Sequence, residues 1–195
     1  MEDYTDTLRN LGILGSSNIP DIVNGISSLT SDYNEWREAM WESVAAEYKP
    51  FFDEVTPLTI GYYNEQRQLA GIDGSFTPDT TDLATPLAIG LTASAFAYTL
   101  KKAKRERQEE LERLQVEIMK AHLMGFQQQG AETLAKLSRQ DTRGGRRGVG
   151  MRLIPRALSC KFCKKVAAEF EEGGYQPARC HKNCSCGKMP VWQAE

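Results

Sequence analysis

All five cysteines of this 195-residue chain lie between Cys160 and Cys186, and one of its two histidines, His181, lies among them. A chain that gathers its soft ligands near one end is constrained to fold around them there. In a reducing compartment, clustered thiols hold a metal more often than they form disulfides. Cys160-x2-Cys163 sets two thiolates on one tight turn, the usual first half of a structural zinc site. The second half must come from Cys180, His181, Cys184 and Cys186. His181-x2-Cys184 repeats the spacing and would complete a Cys3His tetrahedron. Cys186 competes with Cys184 for the fourth position, and Cys180, directly before His181, is read as the spare. The segment between the two halves suits a small zinc ribbon or knuckle, with Gly173-Gly174 as its turn and Val166 and Phe170 as a miniature core. Bound Zn2+ would contribute of order 10 kcal/mol to folding, enough to order so short a segment. No H-x-E motif accompanies the cysteines, so the metal is read as structural rather than catalytic.

Upstream, the periodicity is helical. Short helices are expected before Gly15 and after Pro20. Asp32, with Glu35 three residues on, forms a capping-box-like start. Tyr33, Trp36, Met40, Val44, Tyr48 and Phe51 or Phe52 then recur at helical spacing. Pro50 is expected to kink or end this helix, and a separate helix is expected from Pro57 to Ala70, with Gly71 as its stop. "GIDGSFTPDT" reads as a loop. "ATPLAIGLTASAFAYTL" is apolar and uncharged, but Pro86, Gly90 and several Ser and Thr make it a buried core helix rather than a membrane span. The charged stretch from Lys101 to Gln140 reads as a long helix. Its stripe of Leu111, Leu114, Ile118, Ala121 and Gly125, with Leu134 and Leu137 beyond, suits a coiled-coil or bundle seam and self-association. Gly125 and Gly130 are expected to weaken its last turns. His122 reads as a surface or core-edge residue of that helix.

The net charge of −2 conceals a division. Residues 1–100 carry 15 acids and 4 bases, whereas residues 101–195 carry 11 acids and 20 bases. Between Lys136 and Lys165, Asp141 is the only acid among ten bases. "DTRGGRRGVG" reads as a flexible hinge. Arg143, Arg146, Arg147, Arg152, Arg156, Lys161, Lys164 and Lys165 are the residues expected to track a nucleic-acid backbone or dock on an acidic protein surface. The expected organisation is therefore mainly α: an acidic helical body with its long helix (1–140), a basic Gly/Arg-rich linker (141–156) and a zinc-binding ribbon or knuckle module (157–195). No apolar run approaches the ~20 residues of a membrane span. The acidic start lacks a signal peptide's regions, so a soluble, cytoplasmically made protein is expected. No nucleophile elbow, Walker loop, H-E-x-x-H or dinucleotide fingerprint occurs, and the chain is not read as an enzyme.

The tail "LSCKFCKKVAAE…CHKNCSCGKMPVW" resembles the C-terminal signature of tailed-phage minor head proteins of the Mu F-like, or head morphogenesis, family, particularly forms from phages of actinobacteria. The match runs through Cys160, Phe162, Cys163, His181, Cys184, Cys186, Pro190 and Val191. Upstream, "YYNEQRQLAGIDGSF" is similar to the Tyr-rich helix and Gly-rich turn that those proteins carry before their long helices. The resemblance implies a structural virion protein made in the host bacterial cytoplasm. It would associate with the portal and other head proteins and act in head morphogenesis or in handling packaged DNA. A zinc-finger regulator that binds DNA is the alternative reading, and the acidic first half weighs against it.

Overall fold

The computed structural model describes residues 4–30, 32–81, 83, 108–141, 148–154, 161–165 and 186–192. Among them the chain is mainly helical, with helices α1 (Tyr4–Leu14), α2 (Ile19–Leu29), α3 (Tyr33–Leu69) and α4 (Gln108–Gln140), followed by strands β1 (Gly148–Ile154) and β2 (Gly187–Trp192). The uncharged stretch read above as a buried helix, and residues 101–107 of the expected long helix, lie outside the described residues.

The start of α3 follows from its capping residues. The Asp32 carboxylate accepts the backbone N–H groups of Asn34 at 2.8 Å and Glu35 at 3.0 Å, two donors that have no partner within the helix. The Glu35 arm differs from a simple capping box. Its carboxylate accepts the Thr30 hydroxyl, whose oxygen in turn accepts the Asp32 N–H. The helix ends in a Schellman motif: Ile72 N–H donates to Arg67 C=O, Gly71 N–H donates to Gln68 C=O, and Gly71 takes φ +72°. Between these ends α3 runs without a break through Pro50 and Pro57, which corrects the expectation of two helices. Each proline removes one backbone hydrogen bond. Burial of Tyr48, Phe52 and Val55 around them supplies the apolar packing that outweighs that loss.

Contacts divide the described residues into two compact units. One comprises Arg9–Glu54 and residues 108–126. Its core repeats at helical spacing: Ile19, Val23 and Ile26 on α2, Trp36, Met40, Val44, Tyr48 and Phe52 on α3, and Leu111, Leu114, Ile118 and Phe126 on α4. The Trp36 indole N–H, on a fully buried ring, donates to the Ser27 hydroxyl at 3.0 Å. The expected α4 stripe is buried except at Ala121, which is half-buried, and His122 and Phe126 are buried in addition to it.

The other unit takes the described residues up to Leu8, those from Val55 to Leu83, and those from Gln127 onward. Its core is Tyr63, Phe76, Leu83, Leu134, Ala135 and Leu137, with Tyr4, Ile60, Tyr62 and Trp192 packed against it. The loop after α3 is tied down by side-chain amides acting as backbone surrogates. Asn64 donates to Phe76 C=O and accepts Phe76 N–H, while Gln140 pairs in the same reciprocal way with the backbone of Asp79. Gly130 lies where α1 comes close: a Cβ there would sit 2.5 Å from Leu8 Cδ1 and from the Tyr4 hydroxyl. The glycine that was expected to weaken α4 is thus what admits its neighbour.

Residues 148–154, expected to belong to a flexible linker, form β1 and pair antiparallel with β2 from Gly148↔Trp192 to Ile154↔Gly187. Val149, Met151 and Leu153 alternate with Gly and Arg at the strand period. A register shift between Gly148 and Gly150 leaves Val149 as the extra residue of a bulge.

Candidate functional site

The β1–β2 ladder determines how the cysteine region begins and ends. Because Ile154 pairs with Gly187, residues 155–186 leave and rejoin the ladder at one end. All five cysteines and His181 fall in that interval. Residues 161–165 are helical and hold Cys163 with its side chain buried, at 1% exposure, while Lys161, Phe162, Lys164 and Lys165 around it are exposed. Cys186, directly before β2, is also buried, at 8% exposure. Cys160, Cys180, His181 and Cys184 lie outside the described residues. Among the described residues, no group of three or more His, Cys, Asp or Glu is arranged to hold a metal.

Of the basic residues singled out in the sequence, Lys161, Lys164 and Lys165 are on that short helical segment, and Arg152 is on β1 opposite Met189. Arg143, Arg146, Arg147 and Arg156 lie outside the described residues.

Sequence reasoning missed a buried polar cluster in the unit that carries the ladder. Arg67, in the last turn of α3, forms an ion pair with Asp141, which follows the last residue of α4. Both side chains are almost completely buried, at 3% and 0% exposure. The Tyr63 hydroxyl, one turn before Arg67, donates to the same carboxylate at 3.0 Å. The guanidinium lies over the Phe76 ring, 5.8 Å from its centroid, a distance that allows cation–π attraction. Burial raises the Tyr63 phenol pKa far above its ordinary value, and the negative charge of Asp141 raises it further. Tyr63 therefore stays protonated and serves as a donor. Trp192, in the last position of β2, meets the Tyr63 ring edge-on with centroids 5.4 Å apart. Its indole N–H favours the phenolate without reaching hydrogen-bond geometry. Asp141 was visible in the sequence as the lone acid of a basic run. Nothing in the spacing linked it to Arg67.

In the unit of residues 9–54 and 108–126, His122 is a buried titratable group. It stacks on Tyr48 with ring centroids 3.6 Å apart, and Phe52 lies tilted against it. Its Nδ1 lies 2.8 Å from Ile118 C=O. A carbonyl only accepts, so Nδ1 carries the proton. Burial lowers the histidine pKa to about 4, against a smaller opposing effect from the carbonyl. The ring is therefore neutral near pH 7 and packs as an aromatic, which corrects its reading as a surface or core-edge residue.

No helix among the described residues is long and apolar enough to cross a membrane. No curated protein and no solved structure matches the chain. The model of one family, described as VG15 protein, matches residues 2–195, taking in both units and the cysteine-rich tail. The chain accordingly belongs to the VG15 family of phage proteins.

Proposed function

We propose that this phage protein is a minor head component that works beside the portal in head morphogenesis. Its basic segment contacts packaged DNA, and its cysteine region is closed by a structural zinc. The observation that carries the reading is membership of a phage family across the whole chain, joined to a tail whose Cys160, Cys163, His181, Cys184 and Cys186 follow the head-protein pattern.

The zinc is supported by the ladder that brings residues 154 and 187 opposite each other and by the burial of Cys163 and Cys186. Two cysteine side chains buried close to the paired strands suit a soft cation that needs no open coordination position. Cys160, Cys163 and His181 would supply three ligands, and Cys184 or Cys186 the fourth. The metal would hold the excursion folded and would perform no chemistry.

The DNA contact is supported by charge: residues 142–168 contain eight Lys or Arg and no acid. Each base that neutralises a phosphate releases condensed counterions. The acidic first half is then left to face protein, while the α4 stripe expected to mediate self-association is buried within the chain itself.

Quantitative peptide mass spectrometry of purified particles tests the reading. A few to a dozen copies per particle is expected. Complete absence from intact particles, despite expression during infection, would overturn it and turn attention to DNA regulation.

A further inference from the structure

Asp141 and Trp192 stand on either side of the basic and cysteine-rich part of the chain: one directly follows α4, and the other ends β2. The fold brings both to a single side chain. Tyr63 donates its hydroxyl to the Asp141 carboxylate and receives the edge-on Trp192 ring. Trp192 also sits opposite Gly148, the first residue of β1. The ladder is thereby tied to the helical residues of its unit from both of its chain connections, and both ties converge on one phenol.

We propose that Tyr63 is a two-footed clamp that holds the β1–β2 ladder on the ends of α3 and α4, so that loosening one foot loosens the other. Arg67 gives the clamp its direction. Its guanidinium pairs with the same carboxylate oxygen that accepts the Tyr63 hydroxyl, which holds that oxygen in place for the bond. The polar groups of the clamp are only partly satisfied. Arg67 Nε, Asp141 Oδ1 and Trp192 Nε1 are buried without a hydrogen-bond partner among the described residues. A buried polar network that is only partly satisfied holds less firmly than the apolar core beside it. The ladder is thus fastened by one hydrogen bond and one ring contact, whereas Leu134 and Leu137 fasten α4 by burial.

Amide hydrogen exchange of the full-length protein tests this, with α2 as an internal control in the other unit. Tyr63→Phe keeps the ring beside Trp192 and removes only the bond to Asp141. Trp192→Leu removes the ring contact and leaves the bond. Each variant should speed exchange in residues 148–154 and 187–192 by roughly tenfold or more, with α2 unchanged. The double variant should add little to the faster single one, because both act through one clamp. Three results would overturn the proposal: unchanged ladder exchange in Tyr63→Phe, equal acceleration in α2, or fully multiplicative effects in the double variant.

Discussion

Tyr48 and His122 lie face to face in the core, with planes 11° apart and centroids 3.6 Å apart, and burial shifts the titration of both. Ser16 spends its hydroxyl hydrogen on Gly12 C=O, so the Tyr48 hydroxyl must donate to Ser16 at 2.6 Å. Burial pushes the Tyr48 phenol up to about 12 and the His122 imidazole down to about 4. Both partners are therefore uncharged at neutral pH, and the stack carries no desolvated charge.

A pH dependence follows from the histidine. Unfolded, it binds a proton near pH 6.5; folded, only near pH 4. Between those values the unfolded state holds more protons, so stability falls as pH is lowered through that window and levels off below it. The histidine's share is at most about 3 kcal/mol. His122→Phe keeps an aromatic ring on Tyr48 and removes the titration. Urea unfolding at pH 7 and pH 4.5 should show a smaller loss for the variant than for the parent. Equal losses would show that the histidine does not titrate between the two states.

The Arg67–Asp141 pair should be costly to break and cheap to replace. Asp141→Asn leaves a buried guanidinium without its counter-charge, a change that typically costs about 3–5 kcal/mol. Removing both charges with Arg67→Met and Asp141→Leu should recover most of that loss, since neither partner is then left charged in the core. Chemical denaturation of Arg67→Met, Asp141→Leu and the double variant forms the cycle. A double variant as unstable as the worse single would mean that the pair is held for more than its mutual charge.

Two helix glycines should respond to alanine in opposite directions. At Gly61 a new Cβ meets nothing within 4 Å, so Gly61→Ala should stabilise α3 by up to ~1 kcal/mol through helix propensity. At Gly130 the same methyl would collide with Leu8 and with the Tyr4 hydroxyl, which is hydrogen-bonded to Thr59 at 2.6 Å. Gly130→Ala should therefore lose about 1–3 kcal/mol to overpacking despite its better propensity. Thermal melts should move up for one variant and down for the other.

These contrasts show which parts of the fold were legible in the sequence. Asp32, Gly71 and the Trp36–Met40–Val44–Tyr48–Phe52 repeat act locally, through the backbone within a turn or two, and the sequence displays such signals directly. Pro50 and Pro57 misled because propensity is local, whereas what keeps α3 whole is burial against residues distant in the chain. β1 was hidden by its two glycines and its arginine, since a hinge and a bulged strand draw on the same residues. Its pairing partner lies more than thirty residues downstream. The Arg67–Asp141 pair joins residues separated by 74 positions, and no spacing rule reaches that far. The cysteine cluster could be read as candidate metal chemistry because metal spacing is itself a local signal.

The last test bears on the proposed zinc and on its fourth ligand. Cys186 is buried beside β2, and a buried thiol there is compatible with coordination or with simple packing at the end of the ladder. His181-x2-Cys184 repeats the spacing of Cys160-x2-Cys163, which lets two similar turns offer their ligands to one tetrahedron. Serine is close in size to cysteine but binds zinc poorly, so Cys184→Ser and Cys186→Ser separate the two roles. Measured by native mass spectrometry, Cys163→Ser and Cys184→Ser should lose bound zinc, and Cys186→Ser should retain it. Retention by Cys184→Ser with loss from Cys186→Ser would move the fourth ligand to the foot of β2. Zinc absent from the unmodified protein, purified without chelator, would remove the metal from the reading altogether.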